Sequence, residues 1–224
     1  MVRTATFTSA LWLNLLGLTG LLSCGYCPAL AQQFSAELVS TRENGATTPS
    51  GKIYFLNGKV RIETPDFPDA FFLIDGANGA AYFVQPTEKV FMDARQSSPL
   101  TRMLITVDPG NPCQQWQDAA KRAGAVVPGE SWRCERVEET LAGRSSVAYR
   151  ATSSSGQSFL GWIDPELKFP LRLRTTDGTI VAVENIRKEP QSERLFEIPA
   201  EFGKFDPESL IKLIQQSDVW VSDE

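Results

Sequence analysis

The sequence predicts a mainly β domain with a small helical insertion, and three observations carry that expectation. Apolar residues recur in short runs rather than in long helical stripes. The runs are separated by turn pairs, above all Asn57-Gly58 and Asp177-Gly178. Within the strand-rich part of the chain the pattern turns helical between Ser98 and Gly124, with six predicted strands before it and five after.

Composition narrows the function classes before any motif is considered. The 224 residues are 42% hydrophobic and 10% aromatic, too apolar for a disordered chain. There is no His, which removes the usual general base, every Ser-His or Cys-His nucleophile pair and the commonest metal ligand. Asp and Glu pairs such as Glu138-Glu139, or Asp66 with Asp69, fall at strand ends and loops with no phosphate loop, nucleophile elbow or metal spacing beside them. We therefore expect a protein that is not an enzyme and takes no cofactor or metal. With 22 Lys and Arg against 27 Asp and Glu, the net charge of −5 argues against nucleic acid as a partner.

The chain opens on an export signal. Arg3 precedes the largely apolar stretch from Ala10 to Leu22, and Pro28-Ala-Leu-Ala31 is an A-x-A-type cleavage site. Residues 1–31 read as a cleaved signal peptide, which places the rest outside the cytoplasm, in the periplasm. Leu21-Leu-Ser-Cys24 offers the alternative of lipidation at Cys24, hence a membrane-anchored lipoprotein. Without Arg3 the balance becomes 21 basic against 27 acidic groups, net −6, over 193 residues. Two cysteines then remain, Cys113 and Cys134, enough for one disulfide in an oxidising compartment; the alternative is two buried thiols.

The first strand, Phe34–Thr41, alternates Phe34, Ala36 and Leu38 with Ser35 and Glu37, and a polar loop is expected over 42–51. Next comes the hairpin Lys52–Thr64, whose Asn57-Gly58 suits a two-residue type I′ turn. That turn pairs Leu56 with Lys59, Phe55 with Val60, Tyr54 with Arg61 and Ile53 with Ile62. Paired residues share a face, so Ile53, Phe55, Val60 and Ile62 form one apolar surface. Tyr54 and Arg61 lie opposite, as partners for a cation–π contact. Strands Phe71–Asp75 and Ala81–Gln85 meet at Gly76-Ala-Asn-Gly79, and Val90–Asp93 follows Pro86-Thr-Glu-Lys89. The successive apolar residues 71–74 and 82–84 require cover on both faces.

Ser98-Pro99 and Asn111-Pro112 each set an N-cap residue before a Pro that starts a helix. The second helix should run to about Ala123 and stop at Gly124, with Cys113, Trp116 and Ala120 on one face. Strands resume at Trp132–Thr140, Arg144–Ala151, Phe159–Ile163, Leu171–Thr175 and Thr179–Ile186. Taking Asp177-Gly178 as the turn pairs Leu173 with Ala182 and Thr175 with Ile180, leaving Arg172 and Arg174 to point away with Val181 and Val183. The chain closes with Leu195-Phe-Glu-Ile-Pro199, then a helix capped by Asp206-Pro207-Glu208 that carries Leu210, Ile211, Leu213 and Ile214, and an acidic tail. Residues 32–205 thus read as one domain and 206–224 as its C-terminal helix and tail.

This order of motifs resembles the bacterial lipoprotein-carrier superfamily that includes LolA, LolB and the LppX-like lipid-binding proteins. The resemblance rests on the signal peptide, the hairpin ending Gly58-Lys-Val-Arg-Ile-Glu63, the run Ala81-Tyr-Phe-Val-Gln-Pro-Thr-Glu-Lys-Val-Phe91, the helical insertion after the sixth strand and Leu195-Phe-Glu-Ile-Pro199. It implies a strongly curved, unclosed antiparallel sheet, a half-barrel of about eleven strands lidded by short helices, whose concave apolar face holds an acyl chain. It also implies that Arg61 is the strand arginine that holds the lid. The Cys113 and Cys134 pair departs from that pattern.

The expected function is that of a periplasmic, non-enzymatic carrier of an amphiphilic ligand, a lipid or a lipidated protein, working as a monomer. On this reading the concave face is lined by Ile53, Phe55, Val60, Ile62, Phe72, Ile74 and Phe83 from the first six strands. Leu104 and Trp116 join from the helices, and Leu171 and Leu173 from the last strands. The alternative is a periplasmic sensor or interaction module that binds a protein partner through the open sheet edge or the C-terminal tail. Peripheral or lipid-anchored membrane association fits either.

Overall fold

The structure is a computed structural model that describes residues 32–42, 45–97, 100–124, 128–141 and 143–208. The chain divides into the units Met1–Leu30 and Ala31–Glu224, and every described residue belongs to the second. The signal peptide, the alternative lipidation at Cys24, and the C-terminal helix and tail beyond Glu208 lie outside the described residues.

One sheet makes the domain. Its strands are β1 Gln33–Thr41, β2 Thr47–Leu56, β3 Lys59–Glu63, β4 Phe71–Asp75, β5 Ala80–Gln85, β6 Val90–Asp93, β7 Trp132–Val137, β8 Val147–Ser153, β9 Ser158–Asp164, β10 Phe169–Thr175, β11 Ile180–Arg187 and β12 Gly203–Lys204. They lie in the order β12-β6-β5-β4-β3-β2-β1-β11-β10-β9-β8-β7. All neighbours are antiparallel except β12, a short twelfth strand that runs parallel to β6. The sheet is not closed into a barrel, and two short helices, α1 Leu100–Met103 and α2 Pro112–Arg122, link β6 near one edge to β7 at the other.

The curvature is visible in the phenylalanines. Phe55 on β2 and Phe169 on β10 are three strand spacings apart, which is about 14 Å in a flat sheet. Their ring centroids are 5.3 Å apart, and Phe34 between them is 4.9 Å from Phe55. Bending the sheet round these rings gathers both halves and the helices into one inner core. The outer face has its own smaller clusters. Leu56, Phe71, Leu73 and Val84 lie under Phe196 of the 3-10 turn Glu193–Phe196, and Ala148, Leu160 and Trp162 form a second group with Val137 and Leu141 against them.

The first hairpin has the register its turn requires. Asn57 and Gly58 take φ of 49° and 84°, and Leu56, Phe55, Tyr54 and Ile53 face Lys59, Val60, Arg61 and Ile62. The second hairpin is displaced by one residue from expectation: Leu173 faces Val181 and Arg174 faces Ile180. Thr175 donates its backbone N–H to Thr179, and Gly178 takes φ of 78°, so the loop holds three residues with the last left-handed instead of two. Val181 and Val183 therefore join Leu173 on the core side, while Arg172 and Arg174 stay outside.

Three further expectations are corrected. The polar segment 42–51 is not all loop, because β2 begins at Thr47 and pairs with β1 across a bulge. At Gly51 φ is 145° and a Cβ would lie 2.0 Å from the Glu63 carbonyl oxygen, so only glycine lets the ladder continue there. β7 stops at Val137 and β8 starts at Val147, with Leu141 and Arg144 forming an isolated bridge between them. On α2 the buried residues are Pro112, Trp116 and Ala119, while Cys113 bonds Cys134 on β7. Finally, Arg61 does not meet Tyr54 in a cation–π contact and does not hold the helices. Its guanidinium lies 3.5 Å from the Phe71 ring centre, pairs with Glu63 at 2.8 Å and donates to the Leu195 carbonyl at 3.2 Å. On the outer face it therefore fastens the strap around Phe196.

Two outcomes follow. Replacing Cys113 and Cys134 by alanine should lower stability by about 3 kcal/mol, read as a lower urea midpoint, because the bridge closes a loop of 21 residues. Burial, then Glu63, pushes the Tyr54 phenol above its ordinary value of 10.0. The folded chain holds that proton more tightly, so the stability it confers is complete below pH 10 and fades as pH rises through the folded value. Tyr54→Phe should remove that alkaline component from the pH dependence of the denaturation midpoint.

Candidate functional site

The inner face is built by rows of side chains that the pairing aligns across strands. Ala36, Ile53, Ile62, Phe72, Phe83 and Met92 make one row over β1 to β6. Phe34, Phe55, Val60, Ile74 and Ala81 make the next. From the other half come Ile163 on β9 and Phe169, Leu171 and Leu173 on β10.

The helices settle on this face at one point above all. Gly161 on β9 has no side chain, and the Trp116 indole fills the space; a Cβ there would lie 2.7 Å from Trp116 Cη2. The same indole donates Nε1–H to the Met103 carbonyl at the end of α1, 3.1 Å away, and meets Phe159 edge-on at 5.3 Å. Tyr149 donates its hydroxyl to the Pro109 carbonyl at 2.9 Å, and the Val107 N–H bonds the Lys168 carbonyl at 2.9 Å. The segment between the helices is thereby tied to β8 and to the β9–β10 turn.

Nine of the eleven residues expected to line a cavity are closed off. Ile53, Phe55, Val60, Ile62, Ile74, Leu104, Trp116, Leu171 and Leu173 are all buried, the most exposed being Trp116 at 4%. Between the β4–β5 turn and the helices there remains a crevice of about 20 Å³, lined by Ile74, Ala81, Ile105 and Ala119 with the stems of Arg102 and Arg122. That is room for about one water, against several hundred cubic ångströms in a typical ligand pocket. Burial alone lowers the Arg102 pKa there. A larger depression of about 540 Å³ is open and lined by charged side chains such as Arg144, Asp164 and Lys188 together with Leu167 and Ile186.

Phe72 and Phe83 are different. They are only partly buried, and the β3–β4 loop sets Phe67 beside them, with ring distances of 5.3 Å for Phe67 to Phe83 and 5.1 Å for Phe72 to Phe83. Phe67 is 50% exposed and is the one exposed large hydrophobic among the described residues. A single Phe between Asp66 and Pro68 in a turn carries no periodicity, so its place beside Phe83 leaves no signal in the sequence. With Met92 on the same row, these residues form a half-open aromatic strip at the β4–β6 end of the inner face.

At the outer end of β6 a hydrogen bond to Arg95 holds the Asp93 carboxyl below the usual carboxylate range. Among the described residues no three His, Cys, Asp or Glu side chains group as a metal site would need. The Cys113–Cys134 disulfide suits an oxidising, exported environment. No described helix is long and apolar enough to cross a membrane.

No protein-family model and no curated protein matches the chain. Among solved structures, two crystal forms of PNGF-II share 9% and 12% identity with it over 83% and 87% of its length, at TM-scores of 0.47 and 0.44. The chain covers only 34% and 38% of those structures. At that distance no activity passes from them to this chain.

The seat of the helices is testable directly. Gly161→Ala should cost about 1–3 kcal/mol by driving the indole off β9, and Trp116→Ala about 3–5 kcal/mol. Combined, the two should cost less than their sum, since the added methyl then meets no indole; thermal or urea denaturation measures all three variants.

Proposed function

We propose that this chain is a periplasmic, non-enzymatic binding protein for an amphiphilic ligand, of the lipoprotein-carrier type, whose acyl portion docks along Phe67, Phe72, Phe83 and Met92. The observation that supports the reading is the half-open strip itself. It continues the sealed inner core without a polar break, and it ends on an aromatic side chain held half in solvent. An isolated exposed apolar residue needs no explanation, but a contiguous aromatic run at the margin of an apolar face suits an apolar ligand.

The packed interior adds a condition. An acyl chain longer than the strip needs α1 to move away from the inner face, since the crevice beneath it is far too small. α1 is four residues long and is held at its last carbonyl by the Trp116 indole. Thr101 and Arg102 also donate to the Arg95 carbonyl, so these bonds would have to open with it.

Displacement of a fluorescent fatty acid from the purified chain tests this. Saturable binding is expected, and Phe67→Ala should weaken it about tenfold, because a lost phenyl contact of about 1.5 kcal/mol corresponds to that factor. Phe83→Asp should abolish it while the fold, checked by circular dichroism, persists. Absence of saturable binding, or equal affinity in the Phe67→Ala chain, overturns the reading.

A further inference from the structure

We propose that the outer face of β9 and β10 carries an oxyanion site, formed by Arg172 and Arg174 over Trp162, that takes a carboxylate or phosphate group. The inference is independent of the acyl reading, which concerns the opposite face of the sheet.

It starts from buried donors that have nothing to bond. Among the described residues, three buried side-chain polar atoms have no hydrogen-bond partner, and two of them are Trp162 Nε1 and Arg172 Nε. Native structures seldom leave such donors unmet, because each costs about 1–3 kcal/mol. The two belong to one spot: Arg172 pairs directly with Trp162 across the β9–β10 ladder, and its guanidinium lies 5.3 Å from the indole centre. Trp162 itself is 4% exposed.

Charge points the same way. Arg174, two residues along the same face, places a second guanidinium 5.7 Å from the same indole. Neither arginine reaches a carboxylate at ion-pair distance among the described residues. Arg150, on the neighbouring strand, shows what a paired arginine looks like here: it meets Glu135 at 3.8 Å and Glu139 at 3.4 Å. On β11, Arg172 and Arg174 face Ala182 and Ile180, which offer no charge.

The chemistry selects an oxyanion over other ligands. Two guanidinium groups gathered on one ring offer planar donor forks, the groups that bind carboxylate and phosphate oxygens in pairs. An oxygen entering between the forks and the indole edge supplies the acceptor that the buried donors lack. A neutral acceptor would satisfy the N–H groups but leave both charges uncompensated.

The test is titration of the 15N-labelled chain with inorganic phosphate and, separately, with sodium acetate, at constant ionic strength made up with chloride. The Trp162 indole N–H resonance is the readout, assigned by its loss in Trp162→Phe. A saturable shift is expected with at least one anion: phosphate alone identifies a phosphate group as the ligand, acetate alone a carboxylate, and both a site that reads charge and fork geometry. Arg174→Gln should weaken the titration by about tenfold, the loss of one charge-assisted hydrogen bond. Arg172→Lys should weaken it similarly while keeping the charge. If neither anion moves the resonance saturably, or if both variants titrate like the parent chain, the proposal is overturned.

Discussion

The Trp116 indole on Gly161 is the contact on which the rest of the fold depends. A single sheet has no second sheet to cover its apolar face, so the cover must come from the connection between β6 and β7, whose described residues form two short helices. Short helices have little stability of their own and borrow it from packing. Trp116 supplies the packing for both, burying its ring against β9 while its N–H holds the end of α1. The disulfide, one turn earlier on α2, then fixes the start of the helix to β7. Remove the bare backbone at position 161 and the indole, the two helices and the cover over Phe55 and Phe169 lose their common seat.

Where the sequence was legible, a local rule decided the outcome. Asn57-Gly58 dictates both φ values and hence the register of an entire hairpin, so the faces of Ile53 to Ile62 could be read directly. Asp177-Gly178 looks equivalent but is not. The threonines on either side close a three-residue loop, and one added residue moves each pairing by one place. β12 could not be foreseen, because two residues paired in parallel leave no pattern in the chain.

The site was legible in its membership and not in its exposure. Alternation tells which side chains share the inner face, and nine of the eleven singled out lie in the sealed part of it. What alternation cannot tell is how far a cover made of remote residues will reach, and that reach separates Phe72 and Phe83 from Ile53 and Phe55. On the outer face, Arg172 and Arg174 read as ordinary solvated alternation. Their meaning depends on Trp162 being opposite, which is a fact of tertiary pairing.

The two margins of the sheet are unequal, and this limits how copies of the chain can associate. Beside β6, β12 forms an edge two residues long, too short to template a further strand. β7, at the other margin, has six residues and β8 as its one neighbour. Strand pairing between copies through the longer of the described edges would set β7 against β7, a self-complementary arrangement. Among the described residues, strand addition by this route ends with the pair, because the β7 edge of each copy is then used.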